Sequence, residues 1–309
     1  MYKRPPSRLP LYFDSDLHFI LPNYLISEFD YAKSLEEGVI LGQDPEFNHQ
    51  YRVSLRRIRS LCLLLKDLLP PFVQKTIKPN LKLMMKKTNL LRDLDVFVND
   101  KPRYLAMLPN QKASLEGIFS IIDDHQFEEQ QKVADWLRSS TYLSTSILIE
   151  NSLYRAQQNE SHCETVNPLS FANKKILTQF QQVSKAINKI SDTSQDEIIH
   201  ALRIKCKSLR YLLECFSTLY SKDQHKDNVK HLKSLQDKLG DFNDTATQIT
   251  FFYHLRKAST KQKQERKALK ALINALKSQH KQTREIIISD VKQFHEFLQQ
   301  SSALDVYRV

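Results

Sequence analysis

Apolar residues recur every three to four positions over most of the chain, and this spacing predicts α-helices with one buried face. The clearest such helix begins at Asp44 and Pro45, which suit a cap and a first turn, and ends at Pro70–Pro71. Its apolar face consists of Leu55, Ile58, Cys62, Leu65 and Leu69. The opposite face of this helix is free for solvent or a ligand.

Similar patterns predict further helices on both sides of a polar stretch. They cover residues 72–91, 111–137 and 142–157 before it, and residues 173–190, 196–220, 223–239, 244–258 and 261–299 after it. The stretch itself, residues 158–170, contains Pro168 and lacks apolar periodicity, so we interpret it as a linker. Four Gly in 309 residues is far below the usual share of about 7%, and few turns or bulges can be built with so little Gly. The sequence therefore predicts an all-α chain of two tandem four-helix-type bundles.

Two segments on either side of the linker match each other. HQYRVSLRRIRSLCLLL begins at His49, and HALRIKCKSLRYLLECF begins at His200. Further along, LLRDLDVF in the first copy and KLGDFNDT in the second align Asp93 with Asp241. Two matches in the same order predict an internal duplication. We place repeat one at about residues 17–157 and repeat two at about 171–300, with tails over residues 1–16 and 301–309.

Each copy carries a cationic stripe along its first helix. With about 100° of rotation per residue, the basic residues that follow each histidine share a face opposite the apolar one. The two stripes are His49, Arg52, Arg56 and Arg59, and His200, Arg203, Lys207 and Arg210. Arg57 and Lys205 lie off the stripes, and we interpret them as ordinary solvated charges.

The next helix in each half carries a row of lysines at spacings of three and four residues. The rows are Lys75, Lys78, Lys82 and Lys86, and Lys222, Lys226, Lys230 and Lys233. Like charges at this spacing repel and destabilise an isolated helix. A solvated face explains one such row, but four rows in a chain of net charge +11 favour a bound polyanion. The sequence predicts a basic channel between or along the bundles.

The residue types indicate which anion such a channel would bind. Arginine offers planar, bidentate donors to phosphate, and lysine offers a point charge. No Gly-rich loop is present to hold the phosphates of a nucleotide by backbone N–H groups. Recognition by side chains along a line suits a long, repetitive phosphate chain better than one compact group.

These motifs resemble the CHAD family, the conserved histidine α-helical domain. The first copy shows His49-x-x-Arg52-Val53-x-x-Arg56-Arg57-x-Arg59 with LRDLDV downstream, and the second shows HxxRIxxKxLRYxLE and LQDKLGDFND. The resemblance covers about residues 17–300 and implies paired four-helix bundles around a basic surface or pore. It also implies binding of long-chain inorganic polyphosphate, often at polyphosphate granules. Ser208 stands where the first copy has Arg57, so the two halves need not contribute equally.

No catalytic centre, metal site or cofactor is predicted. Some relatives carry a triphosphatase domain, but residues 1–40 contain no ExExK motif and no strand alternation. Four carboxylates could in principle bind Mg²⁺, and we favour caps or partners of the motif arginines as their role. They are Asp93, Asp95, Asp241 and Asp244. His162 and Cys163 lie in the linker without partners at metal spacing. We therefore expect binding without catalysis.

Two alternatives stay open at this stage. A sequence-independent nucleic-acid binder fits the net charge, although the stripes carry no interleaved aromatic residues for base stacking. A scaffold tethered to a polyanion fits as well. Without a run of 18 apolar residues or a secretory signal, and with no CxxC pair, we expect a cytoplasmic protein without a membrane span, possessing free buried cysteines. The sequence leaves the oligomeric state and the preferred polyphosphate length open.

Overall fold

The computed structural model describes residues 4–159, 166–220, 222–258, 263–300 and 303–308, and these ranges contain helices and no strands. The predicted all-α class is confirmed. The helices are α1 (Leu17–Ser34), α2 (Glu36–Leu41), α3 (Pro45–Leu64), α4 (Pro71–Lys87), α5 (Asn89–Asn99), α6 (Lys101–Met107), α7 (Lys112–Leu137), α8 (Ser140–Gln157), α9 (Pro168–Ile187), α10 (Asp196–Cys215), α11 (Lys222–Ala258) and α12 (Lys263–Gln299). Short 3₁₀ turns follow α3, α6, α10 and α12.

The chain divides into two compact units. Unit 1 comprises Met1–Asp95, His125–Ile176 and Tyr211–Lys222, and unit 2 comprises Val96–Asp124, Leu177–Arg210 and Asp223–Val309. By sequence, α5, α7, α9, α10 and α11 each contribute residues to both units. The repeat boundaries and the internal duplication stay predictions. Residues 160–165 of the predicted linker lie outside the described ranges. His162 and Cys163 fall in that gap.

Unit 1 is built around four helices that contact one another in a ring. α1 packs against α3 and α8, and α4 packs against the same two helices. The apolar periodicity of the sequence supplies the core, since Leu25, Leu55, Ile77 and Leu153 are each fully buried. This is the arrangement of a four-helix bundle.

Unit 2 has an aromatic core. The Phe252 ring lies edge-on to Phe97 and to Tyr104, with centroids 5.4 and 5.2 Å away, and Tyr104 stacks on Phe119. At the other end of α11, the Tyr307 hydroxyl contacts His225 Nδ1 at 3.0 Å. The C-terminal 3₁₀ turn, Asp305–Tyr307, is thereby tied to the core of this unit.

The predicted start of α3 is confirmed, but several other predicted boundaries are wrong. α3 ends at Leu64 and α10 at Cys215, before the predicted ends at Pro70–Pro71 and residue 220. Asp44 accepts a bond from the backbone N–H of Glu46 at 2.8 Å and begins α3 as expected. The helices predicted over residues 223–239 and 244–258 are one helix, α11. Gly240 lies inside this helix. Glycine destabilises a helix interior by about 1 kcal/mol relative to alanine, and burial of the neighbouring Leu239 and Phe242 offsets this loss. The helix predicted over residues 72–91 instead ends at Lys87, and α5 begins at Asn89.

Arg57 is not a solvated charge, which corrects the prediction. Its Nη1 atom lies 2.7 Å from Oε1 of Glu28 on α1, and the Glu28 side chain is fully buried. Tyr24 donates its hydroxyl to the same carboxylate at 3.0 Å. Burial alone would lower the pKa of Arg57, but the charge of Glu28 and the bonds to Glu28 and Tyr24 raise it above its ordinary value. The pair joins α1 to α3 inside unit 1.

Three cysteines are buried, as predicted. Cys62 and Cys215 are 3% and 1% exposed in unit 1, and Cys206 is fully buried in unit 2. Burial raises the pKa of Cys62 and of Cys206 to about 12. These thiols behave as small apolar residues of the core. Among the described residues, no helix combines the length and the apolar character needed to cross a membrane.

Candidate anion-binding site

The stripe predicted on α3 lies along one side of unit 1, but its four members differ in accessibility. His49 and Arg56 are half-buried, Arg59 is exposed, and Arg52 is 5% exposed. On the other side of α3, Leu55 and Ile58 are fully buried, as the periodicity predicted. The apolar face of α3 was thus predicted correctly, while the depth of each cationic side chain depends on the helices that pack against α3.

Arg52 reaches inward to the junction between α4 and α5. Its guanidinium donates to the carbonyl of Met85 at 2.7 Å, to Oγ1 of Thr88 at 2.8 Å and to Oδ1 of Asn89 at 2.8 Å. Arginine at a helix C-terminus satisfies carbonyls that have no partner within the helix and favours the negative end of the helix dipole. Arg52 therefore fixes where α4 ends and α5 begins, and most of its donors are occupied.

Around His49 the structure gathers a cationic cluster, which we define as His49, Arg52, Arg56, Arg92 and Arg4. Burial and then the charge of Arg92 lower the pKa of His49, with Arg56 and Arg4 acting in the same direction and Glu46 opposing them. Burial, followed by the charge of Arg56, lowers the pKa of Arg52 to about 10. In the described part of the chain, neither Arg56 nor Arg92 has a carboxylate within 4.0 Å. The cluster is thus a set of neighbouring cations in which Arg56 and Arg92 form no ion pair with a described residue, although the charges of Glu46 and Asp93 act on His49 and Arg52.

A buried carboxylate holds the elements of this cluster together. Asp95 is 2% exposed and accepts bonds from Asn48 Nδ2 at 3.2 Å and from Gln126 Nε2 at 2.9 Å. Burial raises its pKa, and the two amide donors act in the opposite direction. Because Asn48 precedes His49 and Asp95 lies one turn after Arg92, these bonds set the spacing between α3 and α5. Asp95 has a structural role here.

The lysine row on α4 is exposed along its whole length. Lys75, Lys78, Lys82 and Lys86 are all exposed. The buried residues of α4 lie between them in sequence and on the opposite face, namely Val73, Ile77, Leu81 and Met84. This helix therefore presents four positive charges to solvent, at a spacing that is unfavourable without an anion.

The corresponding region of unit 2 has a mixed charge. His200 is exposed, and its Nδ1 contacts Oδ1 of Asn243. Arg203 lies 3.9 Å from Asp244 and is 16% exposed. Lys207 and Arg210 are half-buried on α10, and Lys226, Lys230 and Lys233 are exposed on α11, whereas the side chain of Lys222 lies outside the described residues.

Two carboxylates line the same surface pocket as the unit 2 histidine. His200 lines a surface pocket of about 240 Å³ together with Asp196 and Glu197. Burial and the charges of Asp244 and Asp237 raise the pKa of Asp241. Within the described residues, no group of three or more His, Cys, Asp or Glu side chains is arranged to bind a metal ion. Among the described residues, the cations of unit 1 therefore have fewer neighbouring carboxylates than those of unit 2.

Two members of the cationic cluster, Arg92 and Arg4, were missed by the sequence analysis. Arg92 stands in the LRDLDV motif, where the second copy has Gly240, so that difference in charge between the copies was a usable signal. Arg4 lies in the segment interpreted as an N-terminal tail, and no periodicity or motif connects it with His49. Only the folded chain brings it there.

Comparison with known proteins identifies a family and a fold. The family model described as the CHAD domain matches residues 23–253. The crystal structure of the CHAD domain from the plant Ricinus communis matches with a TM-score of 0.76 and 22% identity, covering 94% of this chain and 97% of that one. PptA from Streptomyces chartreusis matches with a TM-score of 0.65 and 14% identity, covering 90% and 100%. At these identities the two structures show a shared fold. No curated protein matches the chain.

Proposed function

Because the chain belongs to the CHAD domain family, we propose that it binds inorganic polyphosphate, without hydrolysing it, through the cationic cluster and the lysine row of unit 1. The observation that carries this proposal is the grouping of His49, Arg56 and Arg92, in which neither arginine has a carboxylate of a described residue within 4.0 Å. A polyanion removes the repulsion among these charges, and phosphate oxygens accept the bidentate bonds that arginine offers. Unit 2 carries cationic residues of its own on α10 and α11, which we include in the proposal as a second phosphate-binding surface. Attachment to polyphosphate granules would use the same chemistry.

Neutralising Arg56 should weaken binding and make it less sensitive to salt. Binding that releases condensed counterions gives a linear fall of log K with log salt, with a slope of about 0.7 per phosphate contact on a single strand. We expect Arg56→Gln to reduce the slope for polyphosphate by about that increment. The measurement is a series of binding titrations between low and moderate salt.

Arg138→Gln is the matched control for this titration. Arg138 is exposed in unit 1 at the end of α7, outside the cationic cluster. Its replacement should leave the slope unchanged. Arg57 and Arg52 do not serve as controls or probes, because both are buried and bonded to other helices. Equal slopes for Arg56→Gln and Arg138→Gln would show that Arg56 does not contact the ligand.

We expect no release of orthophosphate from polyphosphate, tripolyphosphate or ATP in the presence of Mg²⁺. Two metal ions bridged by several carboxylates are the usual device for metal-assisted phosphate hydrolysis. Here Asp95 accepts bonds from two amides and Asp93 accepts a bond from Asn89 at 3.1 Å. The assay is phosphate release by the purified chain, compared with Asp93→Asn and Asp241→Asn. Metal-dependent release that disappears in either variant would contradict the proposal.

Nucleic acid is the second candidate ligand, since duplex DNA and RNA also carry closely spaced phosphates. Proteins that bind single strands without sequence preference stack bases on exposed aromatic side chains next to a basic groove. Neither the α3 stripe nor the α4 lysine row contains an aromatic residue at an exposed position. Competition between polyphosphate and duplex DNA or RNA at fixed salt separates the two ligands, and we expect polyphosphate to displace both.

A further inference from the structure

The N-terminal segment before α1 is anchored on unit 1. The backbone N–H of Leu9 donates to the carbonyl of Cys215 at 2.9 Å, and Oγ1 of Thr218 donates to the carbonyl of Leu9 at 3.2 Å. Leu9 and Leu11 are 0% and 4% exposed. Burial of these two leucines, together with the two hydrogen bonds of Leu9, holds the segment on unit 1.

Arg4 extends from this anchored segment to the surface of α3. Its Nη1 atom donates to Oε1 of Gln50 at 2.7 Å, and Gln50 directly follows His49. The Nε and Nη2 atoms of Arg4 are buried and have no hydrogen-bond partner. A guanidinium with two unused donors, held next to other cations, is short of an anion. The guanidinium carbon also lies 5.9 Å from the ring centroid of Tyr31. The protein thus holds Arg4 by a hydrogen bond and a cation–π contact and, among the described residues, provides no carboxylate within 4.0 Å of it.

Pro5 and Pro6 restrict the backbone conformation next to Arg4. Proline fixes its own φ angle near −65° and disfavours helical backbone in the residue before it. The backbone from Arg4 to Pro6 consequently has few conformations to lose when a ligand binds. Holding a side chain in place before binding reduces the entropy cost of binding.

We propose that Arg4 is a phosphate-binding residue, supplied by the N-terminal segment to the cationic cluster around His49. The inference rests on the proposed function and extends it, since Arg4 lies before residue 23, where the family match begins. The segment thus completes the site from outside the matched domain. The ligand chemistry is that of an internal phosphate group of a polyphosphate chain, whose two non-bridging oxygens can accept hydrogen bonds from a guanidinium.

The test compares Arg4→Gln, Arg4→Lys and Arg8→Gln in the full chain. Arg8 is exposed in the same segment and serves as the control. We expect Arg4→Gln to weaken binding of long-chain polyphosphate about three- to tenfold, between the effect of an exposed ion pair and that of a charge-assisted hydrogen bond. The slope of log K against log salt should fall with it. Arg4→Lys should keep the slope and lose part of the affinity, and Arg8→Gln should change neither.

Two results would overturn the assignment of Arg4 alone. One is equal affinity and slope for Arg4→Gln and Arg8→Gln, while the unmodified chain binds. The other is a loss of affinity in Arg4→Gln that comes with a lower unfolding midpoint and an unchanged slope, which would indicate a purely structural contact with Gln50. A failure of the unmodified chain to bind polyphosphate would overturn the proposed function together with the role of Arg4.

Discussion

Replacing Arg57 with alanine is expected to lower the free energy of unfolding by about 3–5 kcal/mol, because removing one partner of a buried ion pair leaves the other charge uncompensated. The partner is Glu28, which is fully buried, while the Arg57 side chain is 11% exposed. Tyr24 alone would be left to satisfy the carboxylate. Chemical denaturation monitored by circular dichroism measures the change. The folded fraction should still bind polyphosphate, since Arg57 faces α1.

Arg59→Ala is the control for this substitution. Arg59 is an exposed arginine on the same helix, so its replacement should change stability by no more than about 0.5 kcal/mol. The double variant Glu28→Leu with Arg57→Met should recover much of the loss, because it removes both charges and fills their volume with apolar groups. Equal stabilities for Arg57→Ala and Arg59→Ala would contradict the buried ion pair.

Long-chain polyphosphate should bind about 10²- to 10⁴-fold more tightly than pyrophosphate. Pyrophosphate can occupy one group of cations at a time. A long chain that has bound the cationic cluster meets further lysines on α4 as an intramolecular ligand, with a high effective concentration. Calorimetric titration of pyrophosphate, tripolyphosphate and a long chain gives the affinities at one salt concentration.

The lysine row provides the internal control for this length dependence. Lys78→Gln combined with Lys82→Gln removes two exposed charges from α4 and should reduce the affinity for the long chain. The affinity for pyrophosphate should change little, since the cluster around His49 is untouched. Similar affinities for pyrophosphate and the long chain would mean that one compact phosphate site accounts for all binding.

The sequence predicted the helical class, the start of α3 and its buried apolar face. Those features depend on local signals, namely Asp44 with Pro45 and the apolar spacing. Where the signals were weak, as at Gly240 and at the α4–α5 junction, tertiary packing decided the helix boundaries. The same contrast between local signals and tertiary packing applies to the site. The exposed lysine row could be predicted from its spacing, but the burial of individual arginines could not.

Arg57 and Arg4 show why part of the site was out of reach. Arg57 was assigned to solvent from its angle on α3, but its surroundings depend on Glu28, a charged residue inside the apolar pattern of α1. Arg4 reaches Gln50 across a separation of 46 residues. Such pairings involve residues far apart in sequence and leave no periodicity in either segment. They emerge only when several helices pack together.

The buried cysteines can report how often each unit opens transiently. A thiol reagent reacts with the exposed thiolate, and burial keeps both Cys62 and Cys206 protonated and shielded. Their labelling rates under native conditions therefore count transient openings, of unit 1 for Cys62 and of unit 2 for Cys206. The labelling of both cysteines can be followed by mass spectrometry in one reaction. A comparison with and without a polyanion then shows whether binding slows the opening of both units or of only one.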